Sequence, residues 1–325
     1  MKLAWECRAW DMKAPFVTAG ETVNRIEVLH VTLAARGLVG RAETMGVDYR
    51  GETIGSMEDA LLGLDSRAVV ELDFDGLQTL LPPGGARNGL DCALWDLRAK
   101  QTPGGIEALV GFPIHPLITL YTLSLDDPDS MARAARAAAP LNRLKLKLND
   151  KQPLECLEAV RAARPDAQLV IDANGSWSAS LLMSLGDDLA RLDVALLEQP
   201  LPADGDAVLD GLRYPVMLCA DESLQSSAEL DDIAPRYDAV NIKLDKCGGL
   251  SNALAIREWC LARGRKFMVG NMLGSSLAMA PALVAAQGAD FVDLDGPLWQ
   301  SRDVHPALDI ANGWIQPPPG ALWGQ

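Results

Sequence analysis

Leu144–Asp150 (LKLKLND), Ala167–Asn174 (AQLVIDAN), Val194–Pro200 (VALLEQP), Val216–Ser223 (VMLCADES) and Ala239–Lys246 (AVNIKLDK) are five short apolar runs in which a charged residue recurs at nearly even spacing close to the end. Those residues are Lys147, Asp172, Glu198, Asp221 and Lys243, at intervals of 25, 26, 23 and 22 residues. Runs this brief, rich in Val, Ile and Leu and separated by helix-like segments, read as buried parallel strands. The interval is the length of one strand, one helix and two short loops, so the pattern is a β/α repeat. It predicts an α/β fold containing a (β/α)8-type barrel, in which the carboxyl ends of the strands converge on one mouth. Three carboxylates would meet there with an ammonium on either side.

Working outward, the barrel is expected over 116–297. LITLYTLSL supplies its first strand, Asp127-Pro128 the cap of the first helix, and KFMVGNML and FVDLDGP the seventh and eighth strands. Helices are expected at Leu154–Ala163, Ala179–Leu192, Ala203–Leu212, Ala228–Tyr237 and Ser251–Arg263. Upstream, strand-like Leu3–Met12 and Arg25–Ala34, with a third strand after the turn in ARGLVGRAET, precede helical patterns at Met57–Leu80 and in ARNGLDCALWDLRAKQ. Strands followed by helices make a separate α+β capping unit, 1–115. The segment 298–325, broken by His305-Pro306 and by the prolines from Pro317, should leave the barrel and pack back on that unit.

Composition narrows the function. A formal charge of −15 argues against a nucleic-acid or anionic-membrane partner, both of which need a basic face. The amino terminus is charged where a signal peptide needs its apolar region, and no apolar run reaches membrane-span length, so a cytoplasmic protein is expected. Six cysteines without a C-x-x-C pair signal neither a zinc site nor a disulfide framework. The partners left are a small molecule and further copies of the chain.

Lys145 and Lys147, two apart in one strand, point to the same face, here the barrel interior, although an exposed edge strand would show the same alternation. An interior lysine beside a cation and a desolvating wall has a lowered pKa and serves as a general base. Asp172, Glu198 and Asp221 are hard oxygen donors on three successive strands with no His or Cys, which suits Mg2+. A single such Asp would more simply cap a helix; three in register weaken that reading. Asn174 shares a face with Asp172, whereas Glu222, adjacent to Asp221, should point elsewhere. Gly248-Gly249 reads as a tight βα turn rather than a phosphate cradle.

These motifs resemble the enolase superfamily in its muconate-lactonizing subgroup and, within it, dipeptide epimerases of the L-Ala-D/L-Glu epimerase type. The resemblance rests on LKLKL, VIDAN, LEQPLP, ADES, VNIKLDKCGGL, MVGNML and DLDGP, with RNGLDCALWDL in the first domain. It implies a modified, enolase-like barrel under a capping domain completed by the C-terminal tail. It also implies one Mg2+ per subunit on Asp172, Glu198 and Asp221, and Lys145 on the substrate carboxylate. Lys147 and Lys243 would then be bases on opposite faces of the α-carbon. A Lys or His base with Mg2+ is the established pairing of that superfamily. Mandelate-racemase-like members use a seventh-strand histidine, yet His30, His115 and His305 all lie outside KFMVGNML. Asp293 and Asp295 resemble the feature that holds a dipeptide's α-ammonium, although an Asp before Gly296-Pro297 is also an ordinary turn residue.

Cycloisomerases and o-succinylbenzoate synthases share the lysines and ligands but have substrates without an ammonium; a non-catalytic peptide-binding barrel would need neither lysine. For the distal carboxylate of a second-position Glu, the resemblance implies an arginine from the loop FVTAGETVN. That loop has Glu21 instead, which leaves Arg25 and Arg50 as candidates, or a pocket steered toward uncharged or cationic side chains.

Overall fold

The computed structural model describes residues 1–325. The chain opens with a three-stranded antiparallel meander of β1 (Lys2–Val17), β2 (Thr22–Ala35) and β3 (Leu38–Thr44). The helical region that follows is three short helices, α1 (Ile54–Leu62), α2 (Ser66–Val70) and α3 (Phe74–Leu80), each started by a side-chain cap from Thr53, Asp65 or Asp73. The long α4 (Gly85–Gln101) and short α5 (Gly105–Val110) complete this unit. Fourteen residues of α4 are buried, because it is clamped between the meander and the barrel.

LITLYTLSL divides into β4 (Leu117–Ile118) and β5 (Tyr121–Leu123), and only β5 enters the barrel. The repeat then runs α6 (Pro128–Ala137), β6 (Arg143–Lys147), α7 (Pro153–Ala163), β7 (Gln168–Asp172), α8 (Ala179–Arg191), β8 (Val194–Glu198) and β9 (Leu218–Ala220). It continues with α9 (Leu230–Ile233), β10 (Ala239–Ile242), α10 (Leu244–Cys247), α11 (Leu250–Arg263), β11 (Lys266–Val269), α12 (Ser276–Ala285), β12 (Phe291–Val292) and α13 (Gly296–Trp299).

Eight parallel strands, β5 to β12 in sequential order, form the curled sheet, and Leu120 N–H donates to Val292 O at 2.7 Å where its ends meet. Two expected helices are largely absent. Between Pro202 and Gly211 there is only a 3-10 turn, Asp206–Leu209, and the segment after β9 ends at α9, where Pro235 cannot continue an α-helical ladder.

Alternation along the strands sorts the core. Val170, Leu196 and Cys219, each two residues before a carboxylate, pack with Leu120, Ala239, Met268 and Phe291 inside the barrel. Leu146, Ile171, Leu197 and Ala220 face the helices instead. The carboxylates therefore stand on an apolar plug. The tail adds β13 (Ile310–Ala311) and β14 (Trp314–Ile315), which pairs with β4. It then returns to the capping unit, where Gly324 N–H donates to Asp96 Oδ1 at 2.7 Å and Trp323 Nε1 to Cys92 O at 3.2 Å.

Arg87 of α4 donates to Cys247 O at 2.7 Å and to Gly248 O at 3.2 Å, so a side chain at Gly248 would collide with its guanidinium. The Gly248-Gly249 pair is the seat of the capping helix. No helix is long and apolar enough to cross a membrane.

Candidate active site

Register brings the charged strand ends together. Lys147 pairs across the sheet with Asp172, and Asp172 with Glu198. Lys145, Lys147, Asp172, Glu198, Asp221 and Lys243 are all buried. Lys145 Nζ lies 2.9 Å from Asp172 Oδ2, 2.7 Å from Glu198 Oε2 and 2.8 Å from Asp293 Oδ2. Lys147 Nζ donates to Asp172 Oδ2 at 2.7 Å and to Asn174 Oδ1 at 3.2 Å, and Lys243 Nζ to Asp221 Oδ2 at 2.7 Å.

Asp172, Glu198 and Asp221 each offer an oxygen within 4.8 Å of the others, a compact all-oxygen donor set that fits Mg2+. Of the three carboxylates, Glu198 is the least readily ionised. Burial and then the Asp172 carboxylate push it up to about 8 against the pull of Lys145, and its Oε2, close to Lys145 Nζ, lacks a hydrogen bond of proper geometry. At Asp172 and Asp221 burial also opposes ionisation, but Lys145 and Lys147 beside the one and Lys243 and Lys246 beside the other hold both below the usual carboxylate range. Burial would depress Lys243; Asp221 and Glu198 outweigh it and raise it. Here the carboxylates surround the Lys243 ammonium itself, whereas the lowered lysine expected from the sequence is one beside a bound cation.

Several supporting residues carry no motif signal of their own. Asn241 Nδ2 donates to Glu198 Oε1 at 2.7 Å, and Lys246 Nζ to Asp221 Oδ1 at 2.6 Å. Gln199 Oε1 accepts from Asp221 N at 2.9 Å and from Ser223 N at 3.1 Å, which fixes the strand end. All three lie inside the quoted runs, and that position is the one available hint.

Above the carboxylates opens a cavity of about 590 Å3, lined on the barrel side by Lys145, Lys147, Asn174, Glu222, Lys243, Asn271, Asp293 and Asp295. Phe16, Glu21, Val23, Met45, Asp48 and Tyr49 of the capping unit close its rim. Glu222 does not point away. β9 ends at Ala220, so strict alternation stops there, and Glu222 Oε1 accepts from Asn174 Nδ2 at 3.2 Å while its Oε2 is buried and unpaired. Burial and then Asp221 raise Glu222 to about 7.

Asp295 Oδ2 accepts from Thr122 N at 2.7 Å and Trp299 Nε1 at 3.2 Å; burial and then Asp293 raise it to about 6. Asp293 Oδ1 is buried with no partner. Neither arginine candidate lines the cavity. Arg25 is exposed on β2, 3.6 Å from Asp11, and Arg50 borders a neighbouring cavity with Glu52 and Glu229. β2 turns Arg25 outward, and the 3-10 turn Asp48–Arg50 presents Asp48 and Tyr49 to the cavity instead.

Residues 2–111 match the N-terminal domain of mandelate racemase / muconate lactonizing enzymes, and residues 129–321 match the enolase C-terminal domain-like family. The chain belongs to the mandelate racemase/muconate lactonizing branch of the enolase superfamily. Within it, the chain is 40% identical to the L-Ala-D/L-Glu epimerase of Escherichia coli over 310 residues, 94% of this chain and 96% of that one. It is 37% identical to the N-acetyl-D-glutamate racemase of a Pseudoalteromonas species, over 90% of this chain and 94% of that one. A crystal structure of an Agrobacterium tumefaciens enolase family member with homology to dipeptide epimerases, holding sodium and L-Ala-L-Glu with an ordered loop, superposes with a TM-score of 0.96. It shares 39% identity and covers 99% of both chains.

Proposed function

We propose that this protein is a Mg2+-dependent isomerase that epimerises a dipeptide at the α-carbon of its C-terminal residue, as an enzyme of the L-Ala-D/L-Glu epimerase type. The observation that carries the reading is the placement of Lys147 and Lys243 in one cavity, each ammonium on a different edge of a single carboxylate cluster. One lysine takes the α-proton and the other returns a proton to the opposite face, so inversion runs in both directions. Lys145 holds the substrate carboxylate. When bound on Asp172, Glu198 and Asp221, Mg2+ supplies the Lewis acidity that stabilises the enediolate charge.

Asp293 and Asp295 take the α-ammonium of the first residue. The unpaired Asp293 Oδ1 supports this, since a buried carboxylate oxygen without a donor is unfavourable until a cation arrives. That pair also separates the reading from cycloisomerases and o-succinylbenzoate synthases, and from a second racemase reading that the resemblance to the N-acetyl-D-glutamate racemase favours: an acylated nitrogen brings no positive charge. The lysines on both edges speak against a non-catalytic barrel.

Six unpaired cysteines, five of them buried, suit a reducing compartment, and the reading includes a cytoplasmic location. The division into units 1–115, 116–297 and 298–325 belongs to the same reading, supported by the return of the tail to α4. Incubating a dipeptide panel with protein and Mg2+ in D2O and following the α-hydrogen by NMR tests it. Exchange with inversion at the second residue, abolished by chelation and restored by Mg2+, is expected. Absence of exchange from every dipeptide, with exchange from N-acyl amino acids, would move the assignment to the racemase.

A further inference from the structure

Lys243 and, in the α10 that follows it, Asp245 and Lys246 serve two different parts of the site. Lys243 reaches Asp221 from the cavity, and Lys246 grips the same carboxylate from behind. Asp245, buried between them, turns the other way, to the capping unit. Its Oδ1 accepts from Thr44 Oγ1 at 2.6 Å, Met45 N at 3.0 Å and Gly46 N at 2.9 Å. The next amide, Val47 N, donates to Glu52 Oε2 at 2.9 Å. Successive amides of one loop are thus held by two carboxylates, one from the barrel and one from the capping unit. Immediately beyond them the 3-10 turn Asp48–Arg50 presents Asp48 and Tyr49 to the cavity, which Met45 also lines.

We propose that Asp245 is a positioning residue that docks the cavity-lining loop Met45–Tyr49 onto the turn that carries Lys243, so that the wall facing the substrate's second side chain is registered against the base. The proposal rests on the epimerase reading for its catalytic consequence. It makes two parts of the chain about two hundred residues apart one mechanical unit. Because all three bonds end on one oxygen, an asparagine at 245 keeps the clasp and an alanine removes it. Freeing buried donors that cannot find water readily weakens such a contact strongly.

The test compares wild type, Asp245→Ala, Asp245→Asn and Thr44→Val. In Asp245→Ala, amide hydrogen exchange in a peptide covering 45–50 should speed up by about tenfold or more. KM for the preferred dipeptide should rise more than kcat falls, and the kcat/KM ratio between dipeptides differing at the second residue should move toward one. Asp245→Asn should restore both readouts, and Thr44→Val, which loses one of the three bonds, should lie between. Wild-type exchange and unchanged selectivity in Asp245→Ala would overturn the proposal, as would Asp245→Asn behaving like Asp245→Ala. Should Asp245→Ala fail to fold, Thr44→Val decides by the same two measurements. If the wild type turns over no dipeptide, the epimerase reading has failed, and hydrogen exchange alone still decides whether the clasp exists.

Discussion

On the barrel floor, each charged side chain stands at the end of a strand and its neighbour is set by parallel register, Lys147 beside Asp172 and Asp172 beside Glu198. At the rim, Glu21 comes from the β1–β2 turn, Asp48 and Tyr49 from the connection after β3, and Leu273 from the loop after β11, with no common register among them. The floor has three lysines and a buried acidic triad; the rim has acids and no arginine. At Glu21, burial and then Asp48 raise the carboxyl against the pull of Lys147. The floor is thus set on a rigid sheet, and the rim on three connections that a few substitutions can rewrite.

Substitution on the floor should have the largest effect. Lys147→Ala and Lys243→Ala should each lower epimerisation by between about 10²- and 10⁴-fold, the range for removing a positioned acid or base. Each variant should still exchange deuterium into one epimer only. NMR of both epimers in D2O reads this, and equal exchange from both in either variant would break the two-base scheme.

The second effect lies where floor meets rim. Asp293→Asn should lower kcat/KM for a free dipeptide by about tenfold or more, the scale for a lost charge-assisted contact in a dry site. N-acetylation of the dipeptide should cost the wild type a similar factor and the variant much less. Equal turnover of free and acetylated dipeptides by the wild type would return weight to substrates without an ammonium.

A smaller change is expected at the rim. Across L-Ala-L-Xaa substrates, Glu21→Gln should shift kcat/KM toward acidic second residues by about tenfold, because a like charge is removed from the cavity wall. Arg25→Ala and Arg50→Ala should leave the preference at the second residue as it is, since both side chains lie outside the cavity. A loss of preference for Glu in either variant would show that the rim closes over bound substrate.

The smallest effect concerns the seam beneath the rim. Asp91 of α4 accepts from Ser251 N at 2.9 Å and Ser251 Oγ at 2.6 Å, and burial pushes it up to about 6 despite those bonds. Its folded pKa lies above the unfolded value of 3.8, so its protonation stabilises the fold fully below about pH 4, and this contribution is lost as pH rises through about 6. Thermal midpoints of wild type and Asp91→Asn across that window should diverge, with the variant gaining relative to wild type as pH rises and second-residue selectivity unchanged. A constant difference in midpoint would remove the pH dependence from Asp91.

The sequence by itself determined the floor. Evenly spaced apolar strands that end in Lys, Asp, Glu, Asp and Lys can converge only if the repeat closes, and period-two alternation decides which side chains point inward. Asp293 and Asp295 were legible for the same reason, as strand-end residues on one face. What the sequence left open begins where periodicity stops. Glu222 turned inward because β9 ends one residue before Asp221, and the helix expected at Ala203–Leu212 gave way to a 3-10 turn between Pro202 and Gly211. Arg25, just after one loop, and Arg50, in the next, were both candidate cations, but β2 and a 3-10 turn aim them away from the cavity while Glu21 and Asp48 line it. Asp245 stood in the run AVNIKLDK with no role of its own, and only the docking of the capping unit showed that its carboxylate holds Thr44, Met45 and Gly46. Local geometry is written in local sequence, whereas contacts between loops far apart in the chain are set by how two independently built units pack, which no spacing along one strand encodes.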